Sequence, residues 1–179
     1  MEGNEQYTVR QGSDLTVLRI AVLTVSDRSA RGERPDTSGP ALVELIKTQG
    51  WEVTRSDILP DDLNILREVI TAWADRGDAD IILTTGGTGF APRDVTPEAT
   101  RAVIEREAPG LVEAMRAASG AKSPHAMLSR AIAGIRGKVL IINLPGSPKA
   151  AVENLQVVLP ALEHAVNLLK EDPEAEAGH

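Results

Sequence analysis

An apolar run that breaks abruptly into glycines is the feature that most constrains how this chain can fold. The run covers residues 81–83, and residues 84–89 then read Thr-Thr-Gly-Gly-Thr-Gly. This pattern predicts a buried strand that ends in a loop, because glycine interrupts strands and adopts backbone conformations that other residues avoid. Backbone N–H groups in such a loop can form a concavity that holds phosphate. A plain tight turn is the alternative interpretation of the same glycines.

A charged pair and a helix start follow the loop. Arg93 and Asp94 come first, and Thr96-Pro97-Glu98 then has the order typical of a helix N-terminus. We expect Thr96 to be the N-cap and Pro97 to be the first helical residue. Because helix N-termini also attract anions, these neighbours favour a phosphate site over a plain turn.

Strand and helix patterns alternate along the chain, which indicates an α/β fold with a mainly parallel sheet. Strands are predicted at residues 17–25, 51–58, 81–83, 131–135 and 139–142, and helices at residues 37–47, 61–73, 109–119, 150–170 and from residue 96 onward. Arg136-Gly137 separates the last two strands, a spacing typical of a hairpin, so one strand should run antiparallel. The predicted architecture is a single-domain three-layer sandwich with helices on both faces of the sheet.

The domain pattern fills most of the chain. The expected division is a flexible leader at residues 1–16, the domain at residues 17–170 and a flexible tail at residues 171–179. A length of 179 residues suits one domain of this kind. Within it, Thr37 or Ser38 is expected to cap a helix. Pro160 is expected to kink the last helix or divide it in two.

Composition excludes several classes of function. The chain has no Cys and only three scattered His residues, which argues against disulfides, thiolate zinc sites and His-based metal clusters. A net charge of -7 and a pI of about 5.0 argue against nucleic acid and anionic membranes as partners. No apolar run approaches the roughly 18 residues of a membrane span, and the polar, acidic N-terminus does not resemble a signal peptide. We therefore expect a cytoplasmic protein.

Polar residues follow three predicted strands at the point where each strand ends. Ser26 and Asp27 follow the first strand, Asp94 and the glycine loop follow the third, and Ser147 follows the last. Because the carboxyl ends of parallel strands meet at one edge of a sheet, we expect one shared site. Its oxygens and backbone donors suit a phosphorylated ligand with Mg²⁺, which takes ligands from one or two carboxylates and from phosphate. An ordinary turn at residues 26–27, simple nucleotide binding and a phosphatase-like reaction stay open at this point.

The long segment 84–100 and several shorter ones resemble a known family. The shorter segments are residues 23–27 (LTVSD), 36–40 (DTSGP), 127–130 (MLSR), 133–137 (AGIRG) and 143–148 (NLPGSP). In this order they resemble the MogA/MoaB family of molybdenum cofactor biosynthesis, which includes bacterial molybdopterin adenylyltransferase and the G domains of a plant protein and of gephyrin. The resemblance spans residues 18–169.

The resemblance implies ATP- and Mg²⁺-dependent adenylylation of molybdopterin, with molybdopterin-AMP and pyrophosphate as products. Asp61 and Asp94 match the family's two essential carboxylates, implied to be catalytic and to hold Mg²⁺. This revises a local interpretation in which Asp61 or Asp62 would be a helix N-cap. The residues expected around the nucleotide and the pterin are Ser26, Asp27, Gly86, Gly87, Thr88, Gly89, Ser129, Asn143, Gly146 and Ser147. Of these, Ser129 matches a position implied to handle molybdopterin.

Two alternatives remain beside this activity: a non-catalytic MoaB-type molybdopterin-binding scaffold and a Mg²⁺-dependent nucleotide hydrolase. The presence of both Asp61 and Asp94 favours an enzyme over a scaffold, while nothing in the sequence separates transfer from hydrolysis. Arg93 and Lys149 are candidates for neutralising phosphate charge. The resemblance also implies a homotrimer or a trimer-based hexamer, and hand-over of the product to a molybdenum-insertion enzyme.

Overall fold

A six-stranded mixed sheet forms the centre of the protein in the computed structural model, which describes residues 17–173. The strands are β1 (Arg19–Val25), β2 (Glu52–Leu59), β3 (Ile81–Thr85), β4 (Arg106–Glu107), β5 (Ala133–Arg136) and β6 (Val139–Leu144). The leader expected at residues 1–16 and most of the expected tail, residues 174–179, lie outside the described residues.

The sheet is mainly parallel, as predicted. Its strand order is β2-β1-β3-β6-β5-β4, and β2, β1, β3 and β6 are parallel to one another. β5 runs antiparallel to β6 and to β4, which confirms the hairpin and the single reversed strand. The edge strand β4 is not predicted by the sequence pattern, because two residues are too few to show alternation.

Helices cover both faces of this sheet. The described helices are α1 (Asp27–Ala30), α2 (Ser38–Thr48), α3 (Leu63–Arg76), α4 (Thr96–Arg101), α5 (Pro109–Gly120) and α6 (Pro148–Leu169), with a 3-10 helix at Pro124–Leu128. None of these is long and apolar enough to cross a membrane. Side chains alternate across a strand, so Ile20 and Val22 of β1 join the core under α2, α5 and α6, while Ala21 and Leu23 join the core under α3 and α4. The predicted three-layer arrangement is therefore confirmed.

The N-cap prediction for Thr96 is wrong. Val95 occupies the N-cap of α4, and Thr96 rather than Pro97 is the first helical residue. The fully buried Thr96 hydroxyl donates instead to the carbonyl oxygen of Gly86 at 2.9 Å. The helix start is thereby tied to the glycine loop, because a buried hydroxyl needs a hydrogen-bond partner.

The start of α2 also differs from the prediction. Thr37 is the N-cap, but its side chain makes no capping hydrogen bond. The Asp36 carboxylate accepts the N–H groups of Ser38 and Gly39 at 3.0 and 3.1 Å, and the hydroxyl of Thr24 at 2.7 Å. Asp36 therefore replaces the expected Thr or Ser cap and joins α2 to the end of β1.

Two further helices depart from the sequence pattern. The short helix α1 lies where the pattern predicts a loop, and Ser26 caps it by accepting the N–H of Ser29 at 3.3 Å. α6 continues through Pro160 without being divided. Proline costs one intrahelical hydrogen bond, and the buried Leu155 and Leu162 on either side hold both halves of α6 against the sheet.

A buried carboxylate joins three elements at the edge of the sheet opposite the strand ends discussed below. The Asp80 side chain is only 2% exposed. It accepts the backbone N–H of Arg19 at 2.9 Å and forms ion pairs with Arg19 and Lys170 at 2.8 and 3.0 Å. Burial alone would raise the pKa of Asp80, but the hydrogen bonds from Arg19 and Lys170 outweigh it and hold that pKa below its usual value.

Candidate functional site

The carboxyl ends of β1, β3 and β6 lie side by side. Thr24 of β1 is in register with Thr85 of β3, and Thr85 is in register with Leu144 of β6. Two hydrogen bonds join the ends of β3 and β6. The Thr85 hydroxyl donates to the carbonyl oxygen of Pro145 at 2.6 Å, and the N–H of Gly86 donates to the carbonyl oxygen of Leu144 at 3.2 Å. The glycine loop and the segment after β6 are thus held together at one edge, where the sequence predicts them.

A cavity of about 570 Å³ opens at this edge, and we call it the acidic cavity. It is lined by residues 24–28, 34–38, 61, 85–87, 94 and 146–148. The predicted site residues that line it are Ser26, Asp27, Asp61, Gly86, Gly87, Asp94, Gly146 and Ser147. Its volume is within the range of pockets that hold small-molecule ligands.

Asp61 faces this cavity because its neighbour performs the capping. Asp62 caps α3 by accepting the N–H groups of Asn64 and Ile65, both at 3.0 Å. Asp61 is held by a reciprocal pair instead: the N–H of Asp27 donates to Asp61 Oδ2 at 2.9 Å, and the N–H of Asp61 donates to Asp27 Oδ1 at 3.1 Å. The position of Asp61 therefore depends on the backbone at the end of β1.

The carboxylates that line this cavity differ in charge environment. Arg93 donates to both carboxylate oxygens of Asp27, at 3.0 and 2.8 Å, and this lowers the pKa of Asp27. Burial raises the pKa of Asp61, and the nearby carboxylates of Asp27 and Asp94 raise it further. The N–H of Asp27 and the charge of Arg93 compensate the negative charge of Asp61 only in part, and a bound cation would relieve the remainder.

The carboxylates fit a shared rather than a protein-built Mg²⁺ site. Asp94 Oδ2 accepts the N–H of Ala91 at 3.1 Å. Neither Asp61 Oδ1 nor Asp94 Oδ1 receives a hydrogen bond from any described residue, so each has an oxygen available to a ligand. No group of three or more His, Cys, Asp or Glu side chains able to hold a metal occurs within residues 17–173. Because Mg²⁺ commonly binds through one or two carboxylates plus phosphate and water, the two-carboxylate set fits Mg²⁺ shared with a phosphorylated ligand.

The glycine loop offers backbone donors beside these carboxylates. In the described part of the chain, the N–H groups of Gly87, Thr88 and Gly89 have no hydrogen-bond acceptor. Gly86 and Gly87 have φ values of 102° and 62°, which disfavour any side chain. A Cβ atom on Gly87 would also lie 2.4 Å from the Thr96 hydroxyl oxygen and 2.9 Å from Asp61 Oδ1. The loop conformation therefore requires glycine and leaves successive N–H groups for an anion.

A second cavity of about 340 Å³ adjoins the first, and we call it the apolar cavity. It is lined by residues 88, 89, 112, 115, 116, 119, 122, 123, 125, 126, 128, 129, 131, 143, 145, 150, 153 and 154. Val112 and Met115 of α5 contribute to its apolar wall, and Ser129 lies in its lining. The sequence predicts one site, whereas the glycine loop lies between two cavities, with Gly87 lining the acidic cavity and Thr88 the apolar one.

The structure shows the surroundings of three further residues with predicted roles. Asn143 lines the apolar cavity, and its fully buried amide donates to the hydroxyls of Thr84 and Thr100, both at 2.9 Å, which secures the end of β6. Arg93 is engaged by Asp27, as described above. Lys149 is exposed and lines neither cavity.

Basic residues that the sequence interpretation misses line both cavities. Arg28 and Arg34 line the acidic cavity, and Arg116, Lys122 and His125 line the apolar one. Arg28 in α1 and Arg34 in the loop after it have several other charged residues as neighbours, so no local pattern distinguishes them. Helix α5 and the 3-10 helix bring the other three together, which only the fold reveals.

The fold and the two cavities define the class of this protein: an α/β domain with a ligand site at the carboxyl ends of a mainly parallel sheet. A family model described as a probable molybdopterin binding domain matches residues 21–164. The chain belongs to this family, which confirms the resemblance in the sequence.

Individual relatives agree with this membership. The chain is 46% identical over 166 residues to a gephyrin from Dictyostelium discoideum, an alignment that covers 87% of this chain and 23% of that protein. The chain thus spans about a quarter of the length of that relative. It also spans about a quarter of the length of cinnamon, the molybdenum cofactor synthesis protein of Drosophila melanogaster. It is 40% identical over 157 residues to a molybdopterin adenylyltransferase from Helicobacter pylori, covering 87% of this chain and 89% of that enzyme.

A solved structure with high sequence identity has the same fold. The molybdopterin biosynthesis enzyme MoaB from Thermus thermophilus is 50% identical and superposes with a TM-score of 0.82. The match covers 88% of this chain and 99% of the MoaB chain. Most of the described domain therefore corresponds to a complete MoaB chain.

Proposed function

We propose that this protein transfers the adenylyl group of ATP to molybdopterin, giving molybdopterin-AMP and pyrophosphate. The observation that carries the proposal is the meeting of two unlike cavities at one glycine loop. The acidic cavity offers carboxylates and backbone donors for phosphates and Mg²⁺, and the apolar cavity offers a wall suited to a ring system. Relatives named molybdopterin adenylyltransferase support the same activity.

In this proposal the protein acts mainly by alignment. An oxygen of the terminal phosphate of molybdopterin attacks the α-phosphorus of ATP, and the bond from that phosphorus to the β-phosphate oxygen breaks as pyrophosphate leaves. Asp61 and Asp94 would hold Mg²⁺, which when bound supplies positive charge to the phosphates. The free N–H groups of residues 87–89 would hold phosphate oxygens at the junction of the cavities.

The basic residues extend this division of roles. Arg28 and Arg34 would receive the departing pyrophosphate, because they are the cations that line the acidic cavity. Ser129 would hold molybdopterin, since it lines the apolar cavity across the glycine loop from Asp61. Holding both reactants in one orientation lowers the barrier to transfer, because their translational and rotational entropy is already lost on binding.

A direct product assay tests the proposal. The protein is incubated with ATP, Mg²⁺ and molybdopterin, and the adenylylated pterin and pyrophosphate are quantified together by mass spectrometry and an enzyme-coupled assay. We expect the two products in equal amounts and only when all three components are present. Pyrophosphate or phosphate release without molybdopterin would instead identify a hydrolase, and binding of molybdopterin without any product would identify a scaffold.

We further propose that the protein works in the cytoplasm as a homotrimer or a trimer-based hexamer and passes its product to a molybdenum-insertion enzyme. Family membership supports these statements. Each protomer would carry a complete acidic cavity, because all the residues that line it come from one chain. Sedimentation equilibrium should give a mass of three or six chains, and a monomer at working concentration would contradict the assembly.

A further inference from the structure

The Arg130 side chain lies against the backbone of the glycine loop and reaches the start of α4. Its Nε donates to the carbonyl oxygen of Gly89 at 2.7 Å, and its Nη2 donates to the backbone carbonyl of Asp94. Its Nη1 forms an ion pair with Glu98 of α4. The backbone N–H of Arg130 also donates to the carbonyl oxygen of Thr88 at 2.9 Å. Arg130 therefore contacts four residues between positions 88 and 98.

The segment that Arg130 holds has few other ties to the protein. Residues 90–93 are exposed, and Phe90 is 67% exposed. Apart from the bond from Arg130 to the Asp94 carbonyl, Ala91 and Asp94 hydrogen-bond to each other. The N–H of Ala91 donates to Asp94 Oδ2, and the N–H of Asp94 donates to the carbonyl oxygen of Ala91. The ion pair between Arg93 and Asp27 is a second tie. The N–H and hydroxyl of Thr96 donate to the carbonyl oxygens of Gly87 and Gly86, which joins the two ends of the segment.

We propose that Arg130 is a positioning residue that sets the place of Asp94 relative to the apolar cavity, an inference that rests on the proposed adenylyl transfer. Arg130 follows Ser129, which lines the apolar cavity, and it holds the backbone of Asp94, which lines the acidic one. Displacing either side by a fraction of an ångström would misalign molybdopterin and the phosphates. A planar guanidinium can bridge two carbonyl oxygens and a carboxylate at fixed angles, whereas a Lys ammonium cannot.

Arg130→Lys and Arg130→Ala test this role, with Arg101→Ala as a matched control. Arg101 also belongs to α4 and pairs with Glu107, but that pair is exposed and neither residue lines either cavity. We expect kcat to fall about 10-fold for Arg130→Lys and about 100-fold for Arg130→Ala, the size of loss that a misplacement of about 1 Å produces. The Kd of Mg·ATP should rise less than about threefold, because alignment rather than ground-state binding is lost. Arg101→Ala should behave as wild type.

Two measurements separate positioning from a general loss of structure. Amide hydrogen exchange in Arg130→Ala should become faster at Asp94 and Thr96, whose N–H groups are hydrogen-bonded in wild type, and stay unchanged at residues 109–120 and 139–144. Added guanidinium ion at non-denaturing concentration should restore part of the kcat of Arg130→Ala, while the same concentration of NaCl should not. Faster exchange throughout the chain, or an Arg130→Lys variant as active as Arg101→Ala, would overturn the proposal.

The exchange measurement also separates this inference from the proposed function. If the wild-type protein yields no adenylylated pterin, the proposed function fails in that assay before any variant is examined. Exchange at Asp94 and Thr96 then still reports whether Arg130 holds the Asp94 segment. If wild type is active and the variants match it, only the role of Arg130 is refuted.

Discussion

Asp61→Asn removes one negative charge from the acidic cavity while nearly preserving the shape of the side chain. The amide oxygen of Asn can still accept the N–H of Asp27, so the reciprocal pair between residues 27 and 61 should persist. What is lost is the charge that would orient Mg²⁺ over the phosphates. Electrostatic contributions of this kind are worth about 3 kcal/mol, so we expect a loss of about 100-fold in the rate of adenylyl transfer.

The effect of Asp61→Asn on stability should have the opposite sign. Burial and neighbouring carboxylates raise the pKa of Asp61 in the folded state. A carboxyl with a raised folded pKa destabilises the fold increasingly as pH rises from its unfolded to its folded pKa, and fully above that. Asn carries no such penalty, so the variant should unfold, without ligands at pH 7, at the same temperature as wild type or a higher one.

Asp62→Asn is the matched control for this experiment. Asp62 is exposed and caps α3, and Asn is an equally good N-cap, so the variant loses the same charge outside the cavity. Its rate should stay within about twofold of wild type, as is usual for surface substitutions. Product formation and thermal unfolding would be measured for all three proteins. An Asp61→Asn rate equal to that of Asp62→Asn, or a rate loss that parallels a fall in unfolding temperature, would refute the assignment of Asp61.

Three further outcomes are expected. Ser129→Ala should weaken molybdopterin binding about fivefold, the worth of one hydrogen bond, and leave Mg·ATP binding unchanged; calorimetric titration with each ligand would check this, and equal losses for both would contradict the division into two cavities. Asp80→Asn should lower the free energy of unfolding by about 2 kcal/mol at pH 7, because charged hydrogen bonds to Arg19 and Lys170 are lost. The pKa of Asp80 is lowered in the fold, so this difference should shrink as pH falls through that folded pKa in denaturant titrations, and a difference that persists in acid would refute the ionic explanation. Chelation of divalent metal should abolish transfer and added Mg²⁺ should restore it, whereas activity in excess chelator would remove the metal role of Asp61 and Asp94.

The sequence predicts those features that depend on neighbouring residues along the chain. The apolar run of β3 and its glycine loop indicate a buried strand with an anion-binding end, because a parallel strand covered on both faces is apolar throughout. The hairpin of β5 and β6 is likewise encoded in its two-residue turn. The short helix α1 and the edge strand β4 are not predicted, because each is too short for its periodicity to be recognised.

The cap of α4 shows where local patterns fail. The order Thr96-Pro97-Glu98 is typical of an N-cap, yet the Thr96 hydroxyl donates to Gly86. That acceptor is ten residues away and is within reach only because the loop folds back on the helix start. Which acceptor a hydroxyl bonds depends on distance and burial, so the acceptor cannot be predicted from the adjacent residues alone.

The sequence by itself determined the α/β class, the glycine loop and the placing of Asp94 among the candidate residues, whereas Asp61 became a candidate through the family resemblance. Periodicity, turn chemistry and motif spacing are properties of residues close together in the chain, so they can be recognised in the sequence alone. Only the tertiary structure decided that Asp62 caps α3, that Asn143 is buried, and that two cavities rather than one meet at the loop. These outcomes depend on contacts between residues far apart in the chain, because helix α5 and the segment around Arg130 must pack against the strand ends before the cavities exist.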